Sequence, residues 1–132
     1  NTKFQFLFKT NIHTINHISF MFLYFIFIFN GIYDILCALC ILQIINIHHL
    51  DNLHLDMFHN HLHVFEKRFL AYWIMSYGFM RLSNDHYLIC ISYLLEAIVF
   101  TNEYIYYNQV KKNNCIFVVI TSLFLACLAI VF

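Results

Sequence analysis

Residues Ile18 to Ile47 form an almost unbroken apolar run, and its length constrains the chain more than any other feature. A hydrocarbon core of about 30 Å is crossed by about 20 helical residues. Inside hydrocarbon every backbone N–H and C=O needs an internal partner, so a run of this length reads as a membrane-spanning helix. It exceeds the minimum, so the helix is expected to tilt or kink. Asn30-Gly31 is the expected bend, because Gly loosens a helix and Asn competes for its own backbone.

Three further segments, 62–82, 87–107 and 114–132, extend the pattern. The last is the plainest and holds no charge. The first of the three is apolar only from Phe69 to Leu82, about 21 Å at 1.5 Å per residue. It spans only if Leu62 to Phe65 join it while Glu66, Lys67 and Arg68 snorkel. Residues 1–17 mix Lys, Asn and His with Phe and Leu and suit a segment at the membrane surface; 48–61 is a His-rich loop. The expectation is an all-α polytopic membrane protein, a single domain over 1–132 with about four transmembrane helices in a compact bundle.

Composition supports the class: 62% of residues are apolar, 11% are charged and Pro is absent. Mean hydropathy is +0.71. That usage lies outside ordinary globular domains. Net charge is zero, so no basic field gathers phosphate and nucleic acid is not expected as a partner. Basic residues fall on both expected sides and set no orientation. No small-residue cleavage pattern follows the first apolar run, so a signal peptide is not expected. With Asn1 in place of Met, the expectation is a fragment or processed product. Cys37, Cys40, Cys90 and Cys127 lie within apolar runs and Cys115 begins one, where thiols behave as small hydrophobes. Cys37 and Cys40 lack the second pair a zinc site needs and are read as packing.

The chemistry lies in the polar groups at membrane depth. A charge at the bilayer centre costs at least ~2.5 to 3.5 kcal/mol, so each must be answered. Asn30 and Asp34 sit four apart on one face, and Ser92, Glu96, Glu103 and Tyr107 form a polar stripe. Arg81 is expected to pair with Glu96 or Glu103, and Trp73 to anchor packing. His59, His61 and His63 alternate and are the nearest approach to a metal-ligand set, but a solvated loop is the expected reading, with no metal and no cofactor. The two glycines cannot build a phosphate loop, and no Ser elbow or HExxH is present, so no catalytic residues and no enzyme activity are expected. A membrane enzyme using a His-based metal site is the remaining catalytic alternative.

Arg68-Phe69-Leu70-Ala71-Tyr72-Trp73, followed eight residues later by Arg81, resembles a helix of the Erg twenty-eight family of small sterol-pathway membrane scaffolds, which carries Arg-x-x-Gly-x-Trp and a later Arg. Ser92-Tyr93-Leu94-Leu95, Phe100, Glu103 and Tyr107 resemble that family's next helix, and Asn30 a family Asn in the first. The resemblance covers Arg68 to Tyr107. Ala71 stands in place of the usual Gly, the link between the helices is shorter, Asp34 and Glu96 are extra, and no His precedes Glu103. It implies four membrane helices, no catalysis, and the tethering of sterol-modifying enzymes in the endoplasmic reticulum.

The residues themselves point the same way, because a chain with no large loop has mainly its helix faces to offer. The expected function is a non-catalytic accessory or scaffold subunit, held in the lipid bilayer and bound to a larger integral membrane enzyme, transporter or pump. Asn30, Asp34, Arg68, Trp73, Arg81, Glu96 and Glu103 are the expected partner or intramembrane polar contacts. The alternatives are a regulatory subunit of an ion-transporting ATPase or other transporter, and a small ion or proton channel.

Overall fold

The structure, a computed structural model, describes residues 2–47 and 49–131, with side chains from Met21 onward other than those of His48 and Asp51. It is all-helical: α1 (Thr2–Ile41), α2 (Leu50–Leu55), α3 (Val64–Leu82), α4 (His86–Ile105) and α5 (Lys112–Val131). Met21–Ile41 of α1, α4 and α5 are long and apolar enough to cross a membrane. The remaining long helix, α3, has 19 residues but carries Glu66, Lys67, Arg68 and Arg81, which lower its hydropathy.

The first helix departs from the expected boundaries at both ends. Residues 2–17, read as a separate surface segment, continue into α1, since no Pro or Gly precedes Gly31 to stop the helix. Helical structure continues through Asn30-Gly31. Asn30 turns its amide to Tyr93 Oη at 2.9 Å rather than to its own backbone, and Gly31 serves close packing. The helix ends at Ile41, not at residue 47. Gln43, at φ 60°, takes the left-handed position; its N–H donates to Cys40 O at 2.9 Å while Ile44 N–H reaches Leu39 O at 3.0 Å. These two bonds satisfy the last carbonyls as a Schellman cap does.

The chain then folds into two antiparallel pairs. Ala38 and Ile41 pack on Ala71 and Ile74, joining α1 to α3. Along the same seam Gly31 and Gly78 bring the backbones together, the small-residue contact favoured between helices that cannot rely on water to drive them together. The pair α4 and α5 is seamed by Cys90, Tyr93 and Ala126 with Ala129, and Leu23 and Phe27 of α1 close on that cluster.

One end of the bundle carries a cap. His59 N–H donates to Gln109 O at 2.8 Å and Lys111 N–H to Met57 O at 2.9 Å, pairing the link after α2 with the link between α4 and α5. This pairing seats α2 against the bundle, where His54 lies 6.0 Å, ring to ring, from Tyr33 of α1. The outer surface is apolar, with Phe22, Phe29, Phe117, Phe124 and Ile130 exposed.

Candidate functional site: a buried charge cluster beside an open groove

Arg81 lies one residue from the end of α3, at a depth its backbone does not share with the middle of the bundle. Helical side chains lean toward the N-terminus of their helix, and this direction carries the long Arg81 side chain inward along α3. Arg81 as a residue is 1% exposed. Nη1 donates to Asp34 Oδ2 of α1 at 2.5 Å, Nη2 to Glu96 Oε2 of α4 at 2.6 Å, and Nε to Ser92 Oγ at 3.3 Å. The same Glu96 oxygen accepts the Ser122 hydroxyl of α5 at 2.7 Å. One side chain thus ties α3 to α1 and α4, and Glu96 extends the tie to α5.

Aromatic rings complete the enclosure. The Arg81 guanidinium carbon sits 4.0 Å from the centre of the Tyr93 ring and 5.6 Å from that of Tyr77. A desolvated cation over a ring face gains up to about 2 kcal/mol. Tyr93 is itself fixed by Asn30 and by Phe27, whose ring centre is 6.0 Å away. Glu96 and Ser122 each stand near the middle of a 20-residue helix, about 15 Å from either end at 1.5 Å per residue. In a bilayer crossed by these helices, that is the depth where unpaired charge would be most costly.

Two carboxylates meet one guanidinium, so one buried cation serves both. Side-chain exposure rises from 2% for Arg81 to 5% for Asp34 and 18% for Glu96, and that order decides which charge faces outward. Glu96 faces a groove of about 570 Å³, walled by Phe25 and Phe29 of α1 and by Phe117, Thr121 and Leu125 of α5. On the other side of the cluster Asp34, His54, Tyr77 and Glu96 border a small cavity of about 40 Å³, room for one water by volume. Tyr77 Oη and His54 Nδ1 are buried there without hydrogen-bond partners among the described residues. Burial holds the His54 imidazole below its usual pKa, with a smaller opposing pull from Glu96, so the ring is neutral at pH 7.

Asp34, Arg81 and Glu96 converge, and Asn30 supports them through Tyr93. Arg81 meets Glu96, one of the two expected partners, and Asp34 in addition. Glu103 lies apart from the cluster, beside Trp73 and Phe69 in a groove between α3 and α4. Trp73 is 37% exposed and meets Tyr77 edge-on at 5.4 Å, so only part of its ring packs. Arg68 is exposed, far down α3 from Arg81. His59, His61 and His63 are exposed, and among the described residues no group of three or more His, Cys, Asp or Glu is placed to hold a metal ion. Instead His63 N–H donates to Glu66 Oε2 at 2.6 Å at the start of α3.

Ser122, His54 and Tyr77 belong to the site and were not singled out from the sequence. Ser122 had a signal, since Thr121-Ser122 is the only hydroxyl pair in the apolar run after Asn114. His54 had little, being one of several loop histidines; only its spacing of four from Leu50 put it on the face that packs inward. No protein-family model matches the chain, and no curated protein or solved structure matches it.

Proposed function

We propose that the chain is a polytopic integral membrane protein that acts as a non-catalytic accessory or scaffold subunit, offering its helix faces to a larger membrane enzyme or transporter. In this reading α1, α4 and α5 span the bilayer, and α3 crosses as a fourth helix with Lys67 and Arg68 reaching its interface. The observation that carries the reading is the clamp on Arg81. It gathers the deep charges of three helices onto one buried guanidinium and leaves an exterior of exposed Phe and Ile. Charges held this way fix helix order, and an apolar exterior suits lipid or a partner helix.

An Erg twenty-eight-like tether of sterol enzymes in the endoplasmic reticulum is the specific form that the motif around Arg68, Trp73 and Arg81 suggests; a regulatory subunit of an ion-transporting ATPase fits the same surfaces. Arg68 is exposed on α3 and Trp73 is partly exposed in the groove between α3 and α4, so both are available to such a partner. Gentle detergent extraction followed by identification of co-purifying proteins tests the role. A stoichiometric membrane partner, lost when Trp73 and Arg68 are replaced by Ala, is the expected result. Migration as a lone chain under conditions that preserve known membrane complexes would overturn it.

A further inference from the structure

We propose that the small cavity bordered by His54, Tyr77 and Glu96 is the binding site of one water molecule, which accepts the Tyr77 hydroxyl proton and joins His54 of α2 to the Glu96 carboxylate. The site ties the cap to the bundle and needs no partner protein, so its test is independent of the co-purification result.

Two buried polar atoms require an answer. Tyr77 is 4% exposed, and neither its Oη nor Nδ1 of His54 has a hydrogen-bond partner among the described residues. A buried polar group left unpaired costs its whole desolvation, and ordered water is the usual remedy where no protein group can reach it. The Trp73 indole, which meets the Tyr77 ring edge-on at 5.4 Å, is a donor only and cannot take the hydroxyl proton. Both residues line one cavity of about 40 Å³, together with Asp34 and Glu96. Glu96 Oε2 is committed to Arg81 and Ser122, while Oε1 accepts no hydrogen bond among the described residues. The cavity thus gathers an unspent donor, an unspent imidazole nitrogen and an unspent carboxylate oxygen.

Chemistry and size together select the occupant. It must accept from Tyr77 and donate to Glu96, which excludes a metal cation or an ammonium, since neither accepts a hydrogen bond, and a hydrocarbon chain, which does neither. His54 is neutral, because burial holds its imidazole below the usual pKa. Its Nδ1 accepts in one tautomer and donates in the other, and water can serve both. The cavity exceeds the roughly 30 Å³ that one water occupies in the liquid. It falls far below the roughly 300 Å³ at which sites for small organic ligands begin. Bonds to Tyr77, His54 and Glu96 make about three, the usual number for a buried water.

That position gives the water a structural role. The link after α2 is seated by the backbone bonds of His59 with Gln109 and of Lys111 with Met57, both at the edge of the bundle. The water carries the polar contact inward, from a side chain of α2 to the carboxylate that Arg81 and Ser122 already hold.

The test uses the isotope-labelled full chain in phosphatidylcholine bilayers and solid-state NMR that reads transfer of magnetisation from water protons. Bulk solvent reaches neither the Tyr77 side chain nor His54 Nδ1, so water cross peaks at those two places report the cavity. Both are expected in the unmodified chain. Tyr77→Phe keeps the ring that faces Arg81 and Trp73 and deletes only the hydroxyl. The water peak at His54 Nδ1 should then be lost, and the thermal midpoint in mild detergent should fall by about 2 °C or more. A dry cavity gives the opposite sign, because deleting an unanswered buried hydroxyl relieves its cost. Absence of both water peaks in the unmodified chain, a His54 peak unchanged in Tyr77→Phe, or a midpoint that holds or rises would each overturn the proposal. Should Tyr77→Phe fail to fold, the spectrum of the unmodified chain decides it.

Discussion

Gly31 and Gly78 meet backbone to backbone: a Cβ built on either would stand 2.9 Å from the carbonyl oxygen of the other. Neither glycine has a positive φ, so the constraint is the approach of α1 to α3 and not the dihedral angle. Replacing Gly78 by Ala also brings the new carbon to 2.7 Å from Ile35 Cγ1. Ile35 would have to turn its side chain to give way, and the Gly31 carbonyl is held in the helix. Gly78→Ala is expected to cost about 1 to 3 kcal/mol, and Gly78→Leu more. Thermal unfolding in mild detergent reads this directly; an unchanged midpoint for Gly78→Leu would mean that α1 and α3 do not pack along this seam.

Removing Arg81 leaves two carboxylates buried together without a cation. Arg81→Leu is therefore expected to cost about 3 to 5 kcal/mol, the scale of a broken buried ion pair. The protein's steady-state level in membranes should fall accordingly. The triple variant Arg81→Leu, Asp34→Asn, Glu96→Gln removes the charges together and should recover much of that level. A triple variant no better than Arg81→Leu would show that the guanidinium acts through packing on Tyr93 and not through charge.

Glu96 and Glu103 lie on the same sequence stripe, but only Glu96 joins the clamp. Ser122→Ala, which deletes the hydroxyl donating to Glu96, should cost about 0.6 to 1.7 kcal/mol. Glu103→Gln, away from the cluster, should stay within about 0.5 kcal/mol of the wild type. Denaturant titration of the two variants side by side separates the roles, and a larger loss from Glu103→Gln would contradict the placement of Arg81.

His54 makes stability depend on pH. In the unfolded chain an imidazole titrates near ~6.5, whereas burial lowers the value in the fold. Below ~6.5 the unfolded chain therefore binds a proton that the native ring declines. The His54 contribution is complete above ~6.5 and is lost as pH falls. The melting-temperature gap between wild type and His54→Gln should narrow as pH is lowered from about 7.5 to about 5.5. A gap that does not change with pH would place His54 in water rather than against the bundle.

The sequence made the polar groups conspicuous without saying which would meet. Asp34, Arg81 and Glu96 were visible because each interrupts an apolar run, and hydrocarbon does not tolerate an unpaired charge. The choice between Glu96 and Glu103 was not visible. It depends on how far back along α3 the Arg81 side chain reaches, and that depth follows from the seam set by Gly31, Gly78, Ala38 and Ala71. Similarly, nothing local announced that the Asn30 amide would go to Tyr93 or that Gly31 would lie against Gly78 of α3.

The sequence alone determined the all-helical class and the apolar runs, because backbone groups far from water must bond within their own segment and side-chain hydropathy is additive along the chain. Only the tertiary structure decided that the deep charges close on one another around Arg81, that Ser122 and His54 belong with them, and that a groove opens beside Glu96. Those relations depend on the rotation and depth of each helix against its neighbours. Such geometry is fixed by the fit of small residues across an interface, which no single segment contains.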